Sequence, residues 1–331
     1  MSTTIKDVAK EAGVSPSTVS RVLGNSPRIS DETKARVMEA AKKLNYHPNV
    51  IARSLAVNSS KILGLVLPDT AEDLFHNPFY IQVMAGISIY AQKKGYNIMY
   101  SFGKNEKDEV NIIKDYTDSK LVDGIILLVS KTKDKCIELL KKRNYPFVVI
   151  GRPEKADDVL WVDNDNFGAM YQVTDSVIDK GYKNIAYIGG PSDWNVSNDR
   201  LEGFLKSLQV HGIDCNKNII IENNEFNEEL GYSAMNKILD FIKPDAVLTC
   251  DDQLAFGAIR AIRERKQDGI FLVGFNNTPL SEYQDPPLSS VDINSDKLGY
   301  SAAKLLISCL ENENDVSHYI IETKLVERNK K

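Results

Sequence analysis

Cysteine and histidine are both scarce in this chain, and neither is arranged for chemistry. Its four cysteines, Cys136, Cys215, Cys250 and Cys309, have no paired spacing. That excludes a zinc module or a disulfide framework and suits reduced thiols. The four histidines, His47, His76, His211 and His318, form no HExxH pair and stand beside no nucleophile motif. No GxGxxG follows a strand pattern, and no GxxxxGK[ST] loop occurs, so dinucleotide and P-loop phosphate chemistry are excluded as well. Neither an enzyme nor a cofactor is expected. Long apolar runs are missing too, since none approaches the roughly 18 residues needed to span a bilayer. The opening MSTTIKDVAKEAG has no apolar signal core. The expectation is a cytoplasmic protein without a membrane partner.

What the chain does have is an uneven charge. Its net charge of −5 hides a basic start: residues 1–58 carry nine Lys or Arg against five Asp or Glu. The rest carries 32 basic and 41 acidic groups. Such asymmetry suits a protein of which only one end approaches phosphates, although a solvated basic face would look the same.

The hydrophobic periodicity of the basic segment describes three short helices. Ile5, Val8, Ala9 and Ala12 make one apolar stripe, and Gly13 stops it. Ser15 is a good N-cap and Pro16 fits the first helical position. Val19, Val22 and Leu23 then face inward, leaving Ser17, Thr18 and Arg21 outside. A third helix begins at Ser30-Asp31-Glu32, with acids at the positive end of its dipole, and buries Val37, Ala40, Ala41 and Leu44. Spacing alone fits either a helix-turn-helix or an ordinary three-helix bundle.

The residues themselves, TIKDVAKEAGVSPSTVSRVL followed by SDETKARVMEAAKKLNYHPNVIARSL, closely resemble the LacI/GalR repressor family, without gaps. The resemblance implies that Pro16, Ser17 and Arg21 face base edges, with Arg21 able to grip a guanine by both its forks. It implies that Thr4, Ser15, Thr18, Ser20, Ser30, Thr33 and Asn49 hold the phosphate backbone. Gly24 departs from the Asn common in relatives, so the resemblance does not carry over one contact near the end of the recognition helix. Residues 48–57, PNVIARSLAV, read as a helix marginal on its own. In the family this hinge orders on a two-fold-symmetric operator, where two copies from a dimer pack together and Leu55 wedges into the minor groove. A plain linker fits Asn58-Ser59-Ser60 better than it fits this apolar segment.

From residue 61 short apolar runs alternate with amphipathic helices, the pattern of parallel sheets covered on both faces. ILGLVLP, NIMYSF, GIILLVS and FVVIG form one series; a second begins near WVDNDN and continues through NIAYIGG, NIIIE, AVLTC and IFLVGF. SSVDIN, a helix at Lys297–Leu310 and YIIETKLV cross back between them. The predicted fold class is an all-α helix-turn-helix domain (1–47), a hinge and linker (48–60) and an α/β effector domain (61–331) of two doubly wound lobes. Lobe boundaries are expected at about 61–160 with 293–318, and about 161–289 with 319–331. The effector part resembles the periplasmic-binding-protein-like domain of the same family.

Ligands in such sheets sit beyond the carboxyl ends of strands. Those ends carry Phe75, Phe79, Tyr80, Ser101, Phe102 and Arg152 in one series, and Trp194, Asn198, Asp199, Arg200, Asp251, Asp252, Asn276 and Asn277 in the other, with Asp292 in a crossover. Planar forks and carboxylates among aromatic rings suit a sugar. The candidate effector residues are Phe79, Tyr80, Arg152, Trp194, Arg200, Asp251, Asn276 and Asp292. Trp194 also fits a role covering an edge, and one of Asp251 and Asp252 fits a helix cap. Arg200, Asp251 and Asn276 match the family's ligand-contacting positions, although many relatives carry Asp where Asn276 and Asn277 stand. HNPFY, WVDNDN, VGFNN and SSVDIN look most like the family members that answer to maltose and maltodextrins. The expected function is a repressor of operator DNA released by a small sugar. A sugar receptor for transport shares the two-lobed fold but needs an export signal in place of the basic reader.

Overall fold

The computed structural model describes residues 3–24, 28–46, 59–68, 77–214, 216–313 and 315–328. The chain divides into two units, Met1–Lys61 and Ile62–Lys331. The hinge segment 48–57, with Asn49 and Leu55, lies outside the described residues, as do Phe75, His47, His76 and Cys215.

The first unit holds α1 (Ile5–Ala12), α2 (Pro16–Leu23) and α3 (Asp31–Lys43). Each begins at the residue its chemistry predicts. Thr4 and Asp7 form a reciprocal capping box, Ser15 accepts from the Thr18 amide and Ser30 from the Thr33 amide. Gly13 turns the chain between α1 and α2 at φ +65°, a conformation in which a Cβ is strained. Val8, Val19 and Val37, one from each helix, are fully buried together.

The second unit has two six-stranded sheets. The strands and helices of its first lobe are β1 (Ile62–Pro68), α4 (Pro78–Lys93), β2 (Asn97–Gly103), α5 (Glu106–Asp118), β3 (Gly124–Leu127), α6 (Lys135–Lys142), β4 (Phe147–Ile150) and β5 (Leu160–Asn164). The second lobe follows with α7 (Asn166–Asp179), β6 (Ile185–Gly189), α8 (Asn195–Val210), β7 (Ile220–Glu222), α9 (Glu228–Phe241), β8 (Ala246–Thr249), α10 (Asp252–Glu264), β9 (Phe271–Asn276) and β10 (Ser289–Asp292). The chain then returns through α11 (Ser295–Leu310) and β11 (His318–Ile321) and ends with β12 (Lys324–Val326). Strand order is β11-β5-β4-β3-β1-β2 in one sheet and β12-β10-β9-β8-β6-β7 in the other. Among the described residues all strand pairs are parallel except β10 with β12. The central strands β3, β4 and β8 are buried along their whole length, as doubly covered strands must be.

Two boundaries differ from the expected ones. WVDN does not open the second lobe: as β5 it lies in the first sheet between β4 and β11. YIIETKLV is two strands, β11 on the first sheet and β12 on the second. Both segments are apolar enough for either sheet, so composition could not choose; the partner strand did. The crossings therefore lie at 164–166, 292–295 and 321–324. Asn164 ties them together, its side-chain amide donating to the carbonyls of Ile293 (3.0 Å) and Ile321 (2.9 Å).

One helix contact positions the site. A Cβ on Gly86 of α4 would lie 2.0 Å from the Asp296 carbonyl, and one on Gly299 of α11 would lie 2.0 Å from the Val83 carbonyl. These glycines let the two backbones touch, which sets the start of α4 over the ends of the strands.

Candidate functional site

On the first unit, the outer side of α2 carries Pro16, Ser17, Ser20, Arg21 and Gly24, all exposed. Arg21 makes no hydrogen bond or ion pair with the described residues, so its five donors face water. The three helix starts each present free amide donors beside a hydroxyl, an arrangement that accepts phosphate oxygens. Ser15 already bonds Ser17 (2.7 Å) and Thr18 (2.9 Å), and Ser30 bonds Thr33 (3.0 Å). Thr4 donates to Asp7 at 2.7 Å, which leaves its oxygen to accept from a further donor rather than to give its proton to a phosphate. Local capping thus uses part of the expected backbone-contact set.

In the second unit the lobes meet across a crevice at the carboxyl ends of both sheets. The inner chamber has a volume of about 70 Å³ and is lined by Phe79, Tyr80, Asp163, Trp194, Arg200, Phe226, Asp251 and Asn276, among others. An outer chamber of about 400 Å³ shares Tyr80, Trp194 and Phe226 with it. Loops that follow β3 and β6 close one side. Thr132 N–H donates to the Asp193 carbonyl at 2.8 Å, and the Asn195 side-chain amide donates to Ser130 Oγ at 2.8 Å and to the Arg152 carbonyl at 3.0 Å. The lobes are joined here, and the inner chamber is correspondingly narrow.

Arg200 is the electrostatic centre. It is buried on the first turns of α8, its guanidinium 3.7 Å from the centre of the Phe275 ring. Its Nε donates to Asn166 Oδ1 at 3.0 Å and Nη1 donates to the Cys250 carbonyl. Asn166 in turn donates to Asp163 at 2.8 Å. Burial pulls the Arg200 pKa below its ordinary value, opposed by Cys250, Asp251 and other neighbours. Asp163 is pushed up to about 6 by burial, despite amides of Asn164 and Arg152 that donate to it. Asp251 is pushed up to about 7, first by burial and then by the charge of Asp252. It caps α10 by accepting from the Gln253 amide, and it accepts from Asn276 Nδ2 at 2.7 Å. Asn276 reaches it from a backbone at φ +103°, a strained conformation for a residue with a side chain.

Of the expected effector residues, Phe79, Tyr80, Trp194, Arg200, Asp251 and Asn276 line this crevice. Two do not. The Arg152 side chain turns away to stack over Trp161, 5.8 Å from its ring centre, and only the Arg152 backbone serves the site. Asp292 accepts from the Asn294 amide at 2.8 Å and so shapes a crossover instead. Asp252 is a clamp for the second lobe, accepting from Thr278, Ser281 and Ser290. Asn277 accepts from Arg328, Ser101 bonds Tyr116, and Phe102 packs on Tyr100. Asp163, Asn164 and Phe226 were missed as lining residues. The strand-end rule finds the first two once β5 is placed in the first sheet beside β4.

Comparison with known proteins agrees along the whole chain. Residues 4–49 match the family of bacterial regulatory proteins described as lacI, and residues 174–329 match the periplasmic binding protein-like domain. The transcriptional regulator MalR of Streptococcus pneumoniae is 38% identical over 97% of this chain and 100% of its own length.

The chain belongs to the LacI family.

It is accordingly a DNA-binding transcriptional repressor of helix-turn-helix type and not an enzyme. The family also supplies the repressor PurR of Mannheimia succiniciproducens, 33% identical over 94% of this chain and 93% of its own. Among solved structures, the regulator CelR in complex with cellobiose is 28% identical with a TM-score of 0.77, covering 98% of this chain and 99% of that one. No helix among the described residues is long and apolar enough to cross a membrane.

Proposed function

We propose that this repressor is controlled by a neutral sugar bound between the lobes, and that the sugar is maltose or a short maltodextrin acting as inducer. The observation that carries the proposal is the crevice lining. Phe79, Tyr80, Trp194 and Phe226 offer ring faces, while Arg200, Asp251 and Asn276 offer donors and acceptors from a rigid, buried network. Rings cover the C–H face of a pyranose and the polar groups take vicinal hydroxyls. MalR of S. pneumoniae at 38% identity supports maltose. CelR with cellobiose favours a second reading, a β-linked glucose disaccharide.

In this reading residues 1–47 read the operator, 48–60 form the hinge and 61–331 sense the effector, in a cytoplasmic homodimer on a palindromic site. Pro16, Ser17, Arg21 and Leu55 read bases, and Ser15, Thr18, Ser20, Ser30, Thr33 and Asn49 hold phosphates, whereas both donors of Thr4 are already engaged by Asp7. The sugar binds one state of the dimer better and shifts the population away from the operator. If maltose binds only the folded protein, a concentration of 100 times its Kd stabilises it by about 2.7 kcal/mol. The test scores maltose, cellobiose, lactose, sucrose, glucose and ribose by melting temperature and by operator release. A shift and release with another sugar and neither with maltose defeats the maltose assignment.

A further inference from the structure

We infer that Glu109 and Lys131 are positioning residues for the effector response: their buried ion pair fixes the first-lobe half of a clasp between the lobes, and through that clasp it sets the Trp194 wall of the crevice. The inference rests on the reading that the crevice takes the effector, and adds what holds its wall in place. The clasp joins two loops. Residues 130–134 follow β3, and residues 191–195 run from β6 into α8. Lys131 and Trp194 pair backbone to backbone as an isolated antiparallel bridge. On either side of it the Thr132 N–H donates to the Asp193 carbonyl at 2.8 Å, and the Asn195 N–H donates to the Ser130 carbonyl at 3.1 Å. The backbone of Trp194 is thus held from the other lobe, while its ring lines the crevice and meets Phe226 edge to face.

The first-lobe loop needs holding. Its Lys133 stands at φ +51°, a conformation that costs free energy and persists only where the surroundings enforce it. Lys131 supplies the tie. Its Nζ donates to both carboxylate oxygens of Glu109, at 2.8 and 3.1 Å. Glu109 lies in the first turn of α5, packed on the end of β2, where a Cβ on Gly103 would lie 2.6 Å from its Cγ. Cys136 Sγ donates to Glu109 at 3.6 Å, and Asp134 accepts from the Lys131 N–H at 3.3 Å. Of the ion pairs among the described residues this is the most deeply buried, with 16% of the Lys131 side chain and 10% of the Glu109 side chain exposed. Taking two charges out of water costs about as much as their attraction returns, so stability does not account for the pair. Position does: the Lys131 stem fastens the clasp loop to the start of α5.

The test is the full-length protein carrying Glu109→Gln and Lys131→Met together, which leaves no buried charge unpaired. Its Tm should stay close to the native value. Both groups border the outer chamber, so exchange measured without sugar separates holding the clasp from touching a ligand. Peptide-resolved hydrogen exchange should rise about tenfold in residues 130–134 and in 191–195, on the lobe that carries neither substitution, and stay native elsewhere. Maltose affinity by calorimetry should fall about tenfold. If the double variant does not fold, Glu109→Gln alone, which keeps the shape, reads the same two segments. Native exchange at 191–195 overturns the inference. So does unchanged maltose affinity in a variant whose clasp has loosened. If maltose does not bind the native protein, the maltose reading fails and the exchange at 191–195 alone decides whether the pair holds the clasp.

Discussion

Replacing Arg200 by alanine should unfold the second unit far more readily than the loss of one ligand contact suggests, and by an amount that depends on pH. The guanidinium is buried, lies over Phe275 and holds the Cys250 carbonyl and Asn166. Removing it leaves both acceptors unmet and two buried carboxyls, Asp163 and Asp251, without their positive neighbour. Breaking such a pairing costs about 3–5 kcal/mol. For a unit of this size that lowers Tm by roughly 10 °C. Asp163 and Asp251, held up at about 6 and about 7, shed part of this cost by taking protons. Arg200 lowers both values, so without it they rise further. The penalty should be largest at pH 8, above both native values, and should shrink markedly at pH 5. Urea unfolding of the native protein and the variant at the two pH values measures it. A cost below about 1 kcal/mol at pH 8, or one equal at pH 5, refutes the network as described. Arg200→Lys keeps the charge without the planar fork, so it should recover much of the stability but little of the response to sugar.

Arg21→Ala should cost about 1–3 kcal/mol of specific operator binding and relax preference at one base position per half-site; equal losses on specific and random DNA rule out base reading. A protein lacking residues 1–61, the whole first unit, should bind sugar with unchanged affinity but shift no operator in gel retardation, and a retained shift defeats the division of labour. Asn164→Ala leaves the carbonyls of Ile293 and Ile321 without their donor, which should cost about 1–3 kcal/mol in denaturant unfolding; a loss under a few tenths would mean that the crossings are not tied there. For Asp251, a native value of about 7 against an ordinary 3.8 means that the folded protein holds a proton the unfolded chain has lost between those limits. Its contribution to stability is complete below pH 4 and is lost as pH rises through 7. A sugar hydroxyl donating to the ionised carboxylate therefore expels about half a proton per site at pH 7, visible by calorimetry in buffers of different ionisation enthalpy; proton uptake would reverse the assigned role.

The first unit was legible almost to the residue because its signals are local. Ser15 caps α2 and Ser30 opens α3 as their own chemistry announces, and Gly13 turns where only glycine turns easily; the Thr4–Asp7 capping box of α1 is the exception. The alternation of strands and helices in the second unit was equally readable. What escaped was the choice of sheet for a strand that fits either: WVDN and YIIETKLV are apolar enough for both, and the decision lies in pairing across distant residues. That one ambiguity propagated into the site. With β5 taken to open the second lobe, the strand-end rule gives no site residue at its carboxyl end, and Asp163 and Asn164 stay outside the expected set. Arg152, after β4, and Asp292, in a crossover, are candidates by the same rule, yet one stacks over Trp161 and the other shapes its own turn.

The same contrast separates residues whose type implies their role from residues whose role depends on a neighbour. Arg200 and Asn276 are legible because they follow strands and match the ligand-contacting positions of the family they resemble, and the fold places both in a buried polar network. Asp251 and Asp252 are adjacent and identical in type, yet one faces the crevice while the other clamps Thr278, Ser281 and Ser290. The helix boundary divides them: Asp251 is the N-cap, with extended backbone at φ −157° and ψ 149°, and Asp252 is the first helical residue, so their side chains leave the chain in different directions. The crevice is thus assembled by geometry that acts on residues of ordinary type.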